Sequence, residues 1–198
     1  MCGRYFFEID QLPEFHILKK KIDQLALFEY AQEEVFPGNR ALVLLPDEDD
    51  FTLDVMKWGI KGFHGNTLIN ARSETISEKK TFSSMRSRRC LVPANGFFEW
   101  VKRGKKKQKV YIRKGQDPVM YLAGIYNEQK EFVIVTGESQ QEMKEIHDRT
   151  PIILREDQIP LYLMEQLDYP VDNDNLTFTT EEVKQQHEQL GLFDEESK

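Results

Sequence analysis

Residues 88–100 read RRCLVPANGFFEW, and their second half has the pattern of a β-strand. In an extended chain Phe97 and Glu99 face one side while Phe98 and Trp100 face the other. Similar runs, rich in Val, Ile, Phe and Tyr and bounded by Gly, Pro, Asp or Asn, recur along the chain. We therefore predict strands over residues 41–45, 51–56, 67–71, 96–101, 109–113, 119–125 and 131–135.

Helical patterns are fewer. Apolar residues at three- and four-residue spacings predict a helix over residues 11–34, and residues 77–87 are predicted to form a short helix between strands. A capping-box pattern at residues 139–142 predicts a helix over about 140–147, and a second one at 179–182 predicts a terminal helix through Leu190. The expected fold is α+β: a single domain over residues 1–170 with a mainly antiparallel, barrel-like β-sheet and peripheral short helices, followed by an acidic helix or tail over residues 171–198.

Length and composition narrow the class of protein. The chain has 198 residues, of which 39% are hydrophobic, enough for a core and too many for wholesale disorder. No apolar run approaches the ~18 residues of a membrane span, and no signal-peptide pattern is visible. Two cysteines, Cys2 and Cys90, are too few for a disulfide scaffold. We expect a soluble cytoplasmic monomer that makes no membrane contact.

Charge is distributed unevenly in this chain, whose formal net charge is −7. Residues 171–198 are strongly acidic, whereas residues 86–109 contain a single acid, Glu99. A basic block in an acidic protein indicates a polyanionic partner, although the lysine run could equally be the solvated tip of a hairpin. The basic residues of the block are Arg86, Arg88, Arg89, Lys102, Arg103, Lys105, Lys106, Lys107 and Lys109.

Cys2 is a candidate nucleophile. Methionine before a small residue is normally removed, which would make Cys2 the amino terminus. An N-terminal cysteine carries an amine with an ordinary pKa of about 7.7–8.0 and a thiol with one of about 8.5 on adjacent carbons. Such a pair can condense with an aldehyde, first to a Schiff base and then to a thiazolidine. The alternative is a residue that merely follows the start codon.

Two polar clusters at predicted strands are further candidates. Glu99 stands between bulky aromatic residues, and an apolar setting raises a carboxyl pKa in the way that suits a general acid. Asn70 and Arg72 follow an apolar run, and Arg72 has the geometry to bind a phosphate. The structural alternatives are an ion pair for Glu99, a capping role for Asn70 and a surface salt bridge for Arg72.

His147 is the one histidine at a predicted helix-to-loop junction with a charged neighbour. The alternative is a structural histidine. No CxxC or HxxxH pair is present, so we expect no zinc site, no other metal and no cofactor.

Taken together, these segments resemble the SOS response-associated peptidase (SRAP) family. Each is weak alone, but they occur in the family's order over about residues 1–165. The matching segments are Met1–Tyr5, Trp58-Gly59, Asn70–Thr75, Arg88–Trp100, Leu122–Tyr126 and His147–Pro151.

The resemblance implies a sensor of abasic sites in single-stranded DNA that removes Met1 by autoproteolysis and crosslinks the lesion. It implies Cys2 as the crosslinking nucleophile, Glu99 as the acid and base, His147 as the group that polarises the sugar oxygen or Schiff base, and Asn70 as the residue that orients Cys2. Arg4, Arg72, Arg88 and Arg89 are the expected phosphate contacts. Trp58 and Trp100 are the expected stacking platforms for bases.

The chain departs from the family pattern at Thr150, where the family usually has Met, and at residues 36–39 and 60–65. These differences concern the walls of the DNA groove. Two other functions stay open from the residues alone. An N-terminal-nucleophile amidohydrolase would use Cys2 but leave the basic block unexplained, and a non-catalytic nucleic-acid-binding module would leave Cys2 and Glu99 unexplained.

Overall fold

The structure, a computed structural model, describes residues 2–8, 30–47, 51–117, 119–169 and 176–179. Strands dominate these residues, and they form two main sheets with mainly antiparallel pairing. The helices are short. The expected α+β class is therefore confirmed.

The larger sheet closes on itself. Its strands are β3 (Arg40–Pro46), β4 (Phe51–Trp58), β7 (Asn70–Arg72), β8 (Arg89–Ala94), β11 (Met120–Tyr126), β12 (Glu131–Glu138), β13 (Arg149–Pro151) and β14 (Ile153–Leu154). Neighbours follow the order β12, β4, β3, β8 and β11, and β11 pairs again with β12 to complete a ring. β12 pairs in parallel with β4 and with β7, and the other pairings of this sheet are antiparallel.

The smaller sheet is antiparallel and has five strands. They are β1 (Arg4–Phe7), β2 (Glu33–Val35), β9 (Gly96–Arg103), β10 (Lys106–Lys114) and β15 (Leu176–Thr179). Their spatial order is β15, β10, β9, β1 and β2. A separate hairpin pairs β5 (Ile60–Lys61) with β6 (Thr67–Leu68).

Residues 88–100 carry the chain from one sheet to the other, because β8 belongs to the larger sheet and β9 to the smaller. Between them, the Asn95 side chain accepts a hydrogen bond from the Glu8 amide at 2.7 Å, which fixes the end of β1. A Cβ on Gly96 would lie 2.4 Å from the Tyr111 ring. Only glycine therefore fits where β9 begins.

The core lies inside the ring, and Trp58 occupies its centre with no exposed surface. Its ring lies 5.2 Å from that of Tyr5 and is stacked 6.4 Å from that of Phe132. The indole Nε1 donates to the Ile69 carbonyl at 3.0 Å, which satisfies the polar end of an otherwise apolar side chain.

The helices are shorter than the sequence predicts. α1 (Lys80–Ser83) and α2 (Met143–Ile146) lie within the predicted ranges, and α3 (Ile159–Leu163) was not predicted. The prediction of a capping box at residues 139–142 is wrong, because no side chain caps the start of α2. Ser139 instead continues from β12, and its amide donates to the Asp148 carbonyl at 3.0 Å.

The helix predicted over residues 11–34 falls largely on residues 9–29, which lie outside the described part. For its last residues the helix prediction is wrong, since Glu33–Val35 form β2, which pairs with β1. The terminal helix predicted to end at Leu190 also lies outside the described residues, and the domain boundary at 170 stays a prediction. In the described ranges, no helix has the length and apolar character needed to cross a membrane.

The burial of Trp58 predicts the effect of its replacement. Trp58→Phe removes the donor for the Ile69 carbonyl and leaves a void, so the free energy of unfolding should fall by about 1–3 kcal/mol. Chemical denaturation followed by circular dichroism measures this. Phe63→Leu is the control, because Phe63 is 87% exposed and its replacement should change stability by less than about 0.5 kcal/mol. Equal stability of the two variants would contradict the packing described for Trp58.

Candidate active site

Cys2 lies just before β1, the strand that pairs with β9. The register places Arg4 opposite Phe98 and Tyr5 opposite Phe97. The Cys2 side chain is fully buried, and its thiol donates to the Arg4 carbonyl at 3.5 Å. Burial raises the pKa of the thiol, and the charge of Glu99 raises it further. The thiol is therefore protonated at neutral pH and needs a base before it can act as a nucleophile.

Asn70 holds the backbone of Cys2. Its Nδ2 donates to the Cys2 carbonyl oxygen at 2.9 Å. Asn70 begins β7, where parallel pairing with Ile134 of β12 fixes its position. The other amide atom, Oδ1, is buried and has no hydrogen-bond partner among the described residues. A buried acceptor of this kind is available to a polar group that enters the site.

Glu99 lies on β9 and is only 3% exposed. Burial raises the pKa of its carboxyl, whereas the positive charges of the chain's amino terminus and of His147 act in the opposite direction. A carboxyl whose pKa is moved toward neutrality can both give and take a proton at physiological pH. The antiparallel register of β1 and β9, with Arg4 opposite Phe98, brings the backbone just before β1 alongside Glu99, so Cys2 and Glu99 are neighbours.

His147 ends α2 and is partly exposed. Its Nδ1 accepts a hydrogen bond from the Arg149 amide at 3.0 Å and also lies 2.7 Å from Asp148 Oδ1. These two contacts exclude each other, because Nδ1 must be bare for the first and must carry a proton for the second. When Nδ1 accepts from the Arg149 amide, the ring proton is on Nε2. The mostly exposed Asp148 carboxylate is screened by solvent, so the backbone contact is the firmer of the two.

Arg149 connects the chain segments on either side of the site. Its Nη1 and Nη2 donate to the two carboxylate oxygens of Glu74 at 2.6 and 2.9 Å, and Nη2 also donates to the Thr136 carbonyl at 2.7 Å. The hydrogen bond from Arg149 lowers the pKa of Glu74 to about 2. The bidentate pair joins β13 to the turn that follows β7, and so fixes His147 relative to Asn70.

Arg72 is the exposed cation of this region. It points into an open depression of about 490 Å³ that is also lined by Glu138, Lys144, Asp148 and Arg149. In the described part of the chain Arg72 makes no ion pair, unlike Arg149, so its guanidinium is available to an anion.

Arg4 and Trp100 form a second edge, which is partly exposed. The Arg4 guanidinium lies 4.4 Å from the centre of the Phe36 ring and 5.1 Å from that of Trp100. Glu34 accepts hydrogen bonds from Arg4 at 2.9 Å and from Lys109 at 2.7 Å. Burial alone would raise the pKa of Glu34, but these two hydrogen bonds hold it below its usual value.

Three expected DNA contacts lie elsewhere. Trp58 is wholly buried in the core, so it cannot stack on a base. The Arg89 side chain is buried too, and it donates to the carbonyls of Tyr162 at 2.9 Å and Leu167 at 2.6 Å. Arg88 is paired with Glu128 beside the β11–β12 turn, at the opposite end of β12 from His147. These residues stabilise the fold in this conformation.

Sequence reasoning missed Arg149, Glu74, Glu34 and Lys109 as parts of the site. Glu74 and Arg149 have opposite charges and lie in the two short segments that also supply Asn70 and His147, which was a usable signal. Nothing in the sequence marks Glu34 as the acid shared by Arg4 and Lys109, because β2 lay in the predicted helix.

Solved structures confirm the architecture. A protein from Bacteroides thetaiotaomicron superposes with a TM-score of 0.70 and 20% identity, covering 89% of this chain and 90% of that one. A phage-related protein from Bordetella bronchiseptica gives a TM-score of 0.66 and 25% identity, covering 90% of this chain and 93% of that one.

Sequence comparison leads to the family. Abasic site processing protein YoqW of Bacillus subtilis is 33% identical over 178 residues, covering 79% of this chain and 77% of YoqW. Abasic site processing protein YedK of Escherichia coli is 29% identical over 167 residues, covering 78% of this chain and 75% of YedK. The family described as SOS response associated peptidase (SRAP) matches residues 1–189. The chain therefore belongs to the SRAP family, as the order of its motifs predicted.

Proposed function

We propose that this protein recognises abasic sites in single-stranded DNA and bonds to them covalently through Cys2 after Met1 has been removed. The observation that carries the proposal is the pairing of β1 with β9, which brings Cys2, whose carbonyl is held by Asn70, next to the buried carboxyl of Glu99. Names of relatives point the same way, since YoqW and YedK are both called abasic site processing proteins.

The first step is attack of the Cys2 amine on the aldehyde of the opened deoxyribose. The amine nitrogen forms a bond to C1′, and the carbonyl oxygen becomes a hydroxyl by taking the proton that the nitrogen gives up. Loss of that hydroxyl as water gives the protonated Schiff base. Glu99 in its protonated form supplies the proton that lets water leave, a role that the burial-raised pKa of its carboxyl favours.

The second step is closure of the ring. The Cys2 sulfur bonds to C1′ of the protonated Schiff base, and the electron pair of the C=N π bond returns to the nitrogen, which keeps the proton that it already carries. Because burial raises the thiol pKa, the thiol needs a base at this point. Glu99, which has just given up its proton, takes the thiol proton and is restored to the acid form.

His147 and Asn70 assist without forming bonds to the sugar. His147 offers a proton on Nε2 when its Nδ1 accepts the Arg149 amide, which suits it to polarise the sugar oxygen. Asn70 keeps Cys2 in place through the carbonyl contact and has a buried oxygen, Oδ1, that can accept a hydrogen bond from the amine of the processed chain.

Arg72 and the Arg4–Trp100 edge are the DNA contacts that the exposed surface supports. Arg72 has no ion pair to break among the described residues, so its guanidinium can bind a phosphate directly. Arg4 must share its charge with Glu34. Trp100 offers a half-buried ring to a flanking base, and stacking of this kind does not depend on base identity.

Cys2 is tested by mixing the processed protein with an abasic single-stranded oligonucleotide and measuring intact mass. The wild type should give a heat-stable one-to-one adduct. Cys2→Ala keeps an amine but no thiol, so it should give an adduct only after borohydride reduction of the Schiff base. Cys90→Ala is the matched control, because it removes the other buried cysteine and should crosslink normally. A heat-stable Cys2→Ala adduct at wild-type yield would contradict the mechanism.

An uncleaved N-terminal tag should prevent crosslinking by the wild type, because it leaves Cys2 without a free amine. Turnover of an amide substrate in the absence of DNA would instead favour the amidohydrolase.

Glu99 is tested by single-turnover crosslinking rates across pH. The wild-type rate should rise as the amine loses its proton and fall again above the raised pKa of Glu99, since only the acid form helps water leave. Glu99→Gln should slow the reaction at least about tenfold and weaken the alkaline limb. His147→Ala should slow it less. Unchanged rates and pH profile in Glu99→Gln would assign that residue a structural role.

Arg72 is tested by the salt dependence of binding to intact single-stranded DNA. Each phosphate contact contributes about −0.7 to the slope of log K against log salt. Arg72→Ala should therefore reduce the magnitude of the slope by up to about 1. Lys130→Ala removes the same charge beside the β11–β12 turn and should leave the slope unchanged. The same slope for Arg72→Ala and wild type would rule out this phosphate contact.

A further inference from the structure

The β9–β10 hairpin extends the smaller sheet beyond the active site. In its register Lys102 pairs with Lys107 and Arg103 with Lys106. Gly104, whose φ is +62°, is the first residue of the two-residue turn. A glycine with positive φ at that position is typical of tight hairpins, so the tip has a defined shape. We name residues 102–107 the basic hairpin.

The basic hairpin places like charges directly opposite each other. Cross-strand pairs of like charge destabilise a sheet, and here two such pairs follow one another. All residues from 102 to 107 are exposed. Within the described part of the chain, the cations of this hairpin make no ion pair with an acid.

Other cations of the protein are arranged differently. Lys57 pairs with Glu131 at 3.1 Å and Lys130 with Asp54 at 2.8 Å. Lys109, only two residues beyond the basic hairpin, pairs with Glu34. The charge repulsion in the basic hairpin is therefore a local feature, and an anion from outside the chain is what would relieve it.

Lys102 and Lys107 of the basic hairpin continue the surface already assigned to DNA, whereas Arg103 and Lys106 lie on the other face of the hairpin. Trp100 pairs with Lys109 and Lys102 with Lys107, so alternation puts these four side chains on one face of the sheet. Arg4, opposite Phe98, lies on the same face. Arg103 is four residues from Glu99, which is about 13 Å along an extended strand. That distance is about four base-pair steps along the axis of a duplex, at 3.4 Å per step, so the hairpin lies within reach of phosphates close to a lesion held at Cys2.

We propose that the basic hairpin binds phosphates of the DNA that flanks the lesion, as a second anchor separate from the site around Cys2. This rests on the proposed function for the identity of the polyanion. A flexible lysine cluster attracts the phosphate backbone without reading bases. The anchor therefore increases affinity for longer DNA and has no part in the chemistry.

The test compares the full chain with the variant Lys102→Gln/Lys106→Gln/Lys107→Gln on intact DNA. The slope of log K against log salt for a long single strand should fall in magnitude by about 2, and the low-salt Kd should rise at least about tenfold. Shortening the strand should reduce the difference in Kd between the two proteins, because fewer phosphates can then contact the hairpin and the site around Cys2 at once. A second oligonucleotide with a duplex arm distinguishes single-stranded from duplex phosphates as the ligand.

The matched control is Lys57→Gln/Lys114→Gln/Lys130→Gln, which removes the same charge away from the hairpin. It should bind long DNA like the wild type. Equal loss in both triple variants would show a general effect of net charge and overturn the proposal, as would unchanged binding of the hairpin variant to both long oligonucleotides. Folding is checked by thermal denaturation, in which the hairpin variant should be at least as stable as the wild type because two like-charge pairs are relieved.

Failure of the anchor is distinguishable from failure of the proposed function. At saturating abasic DNA the hairpin variant should crosslink at the wild-type rate and only require more DNA to reach it. If the wild type forms no crosslink, the proposed function fails while the comparison on intact DNA still decides the anchor.

Discussion

Antiparallel pairing of β1 with β9 is the constraint on which the site depends. It places Cys2 beside Glu99, which is far along the sequence, and leaves the cysteine buried. Asn95 fixes one end of this pairing through the Glu8 amide, and Asn70 fixes the other through the Cys2 carbonyl. The reactive geometry is therefore held by backbone contacts, and a side chain at position 2 is free to serve chemistry.

Burial raises the pKa of both the Cys2 thiol and the Glu99 carboxyl, but the consequences for the two groups differ. It keeps the Cys2 thiol protonated, and it moves the Glu99 carboxyl toward a pKa at which proton transfer is easy. A thiol that is inert alone is protected from adventitious oxidation, because the thiolate is the reactive form. In the proposed reaction, activation of the thiol depends on Glu99, whose carboxyl gives one proton to the leaving water and then takes another from the thiol.

The sequence predicted much of the fold and part of the site. Strands around residues 41–45 and 131–135 had clear apolar runs and are present, slightly longer. β1 and β2 were missed because an isolated three- or four-residue strand is specified by its partners and not by local pattern. Cys2, Asn70, Glu99 and His147 were singled out by residue type and by motif order. Exposure could not be predicted in the same way: Trp58 and Arg89 have the residue types of DNA contacts, but tertiary packing buries both.

The pairing of β1 with β9 also bears on how the protein is made. Glu8 and Asn95, which close the end of β1, are 87 positions apart in the chain. Contacts of such separation form late, since the loop must close before they stabilise anything. During synthesis Cys2 leaves the ribosome well before Asn70, Glu99 and His147, which join it only as the sheets are completed. Cys2, the proposed nucleophile, therefore gains the partners that bury and position it only after most of the chain has been synthesised.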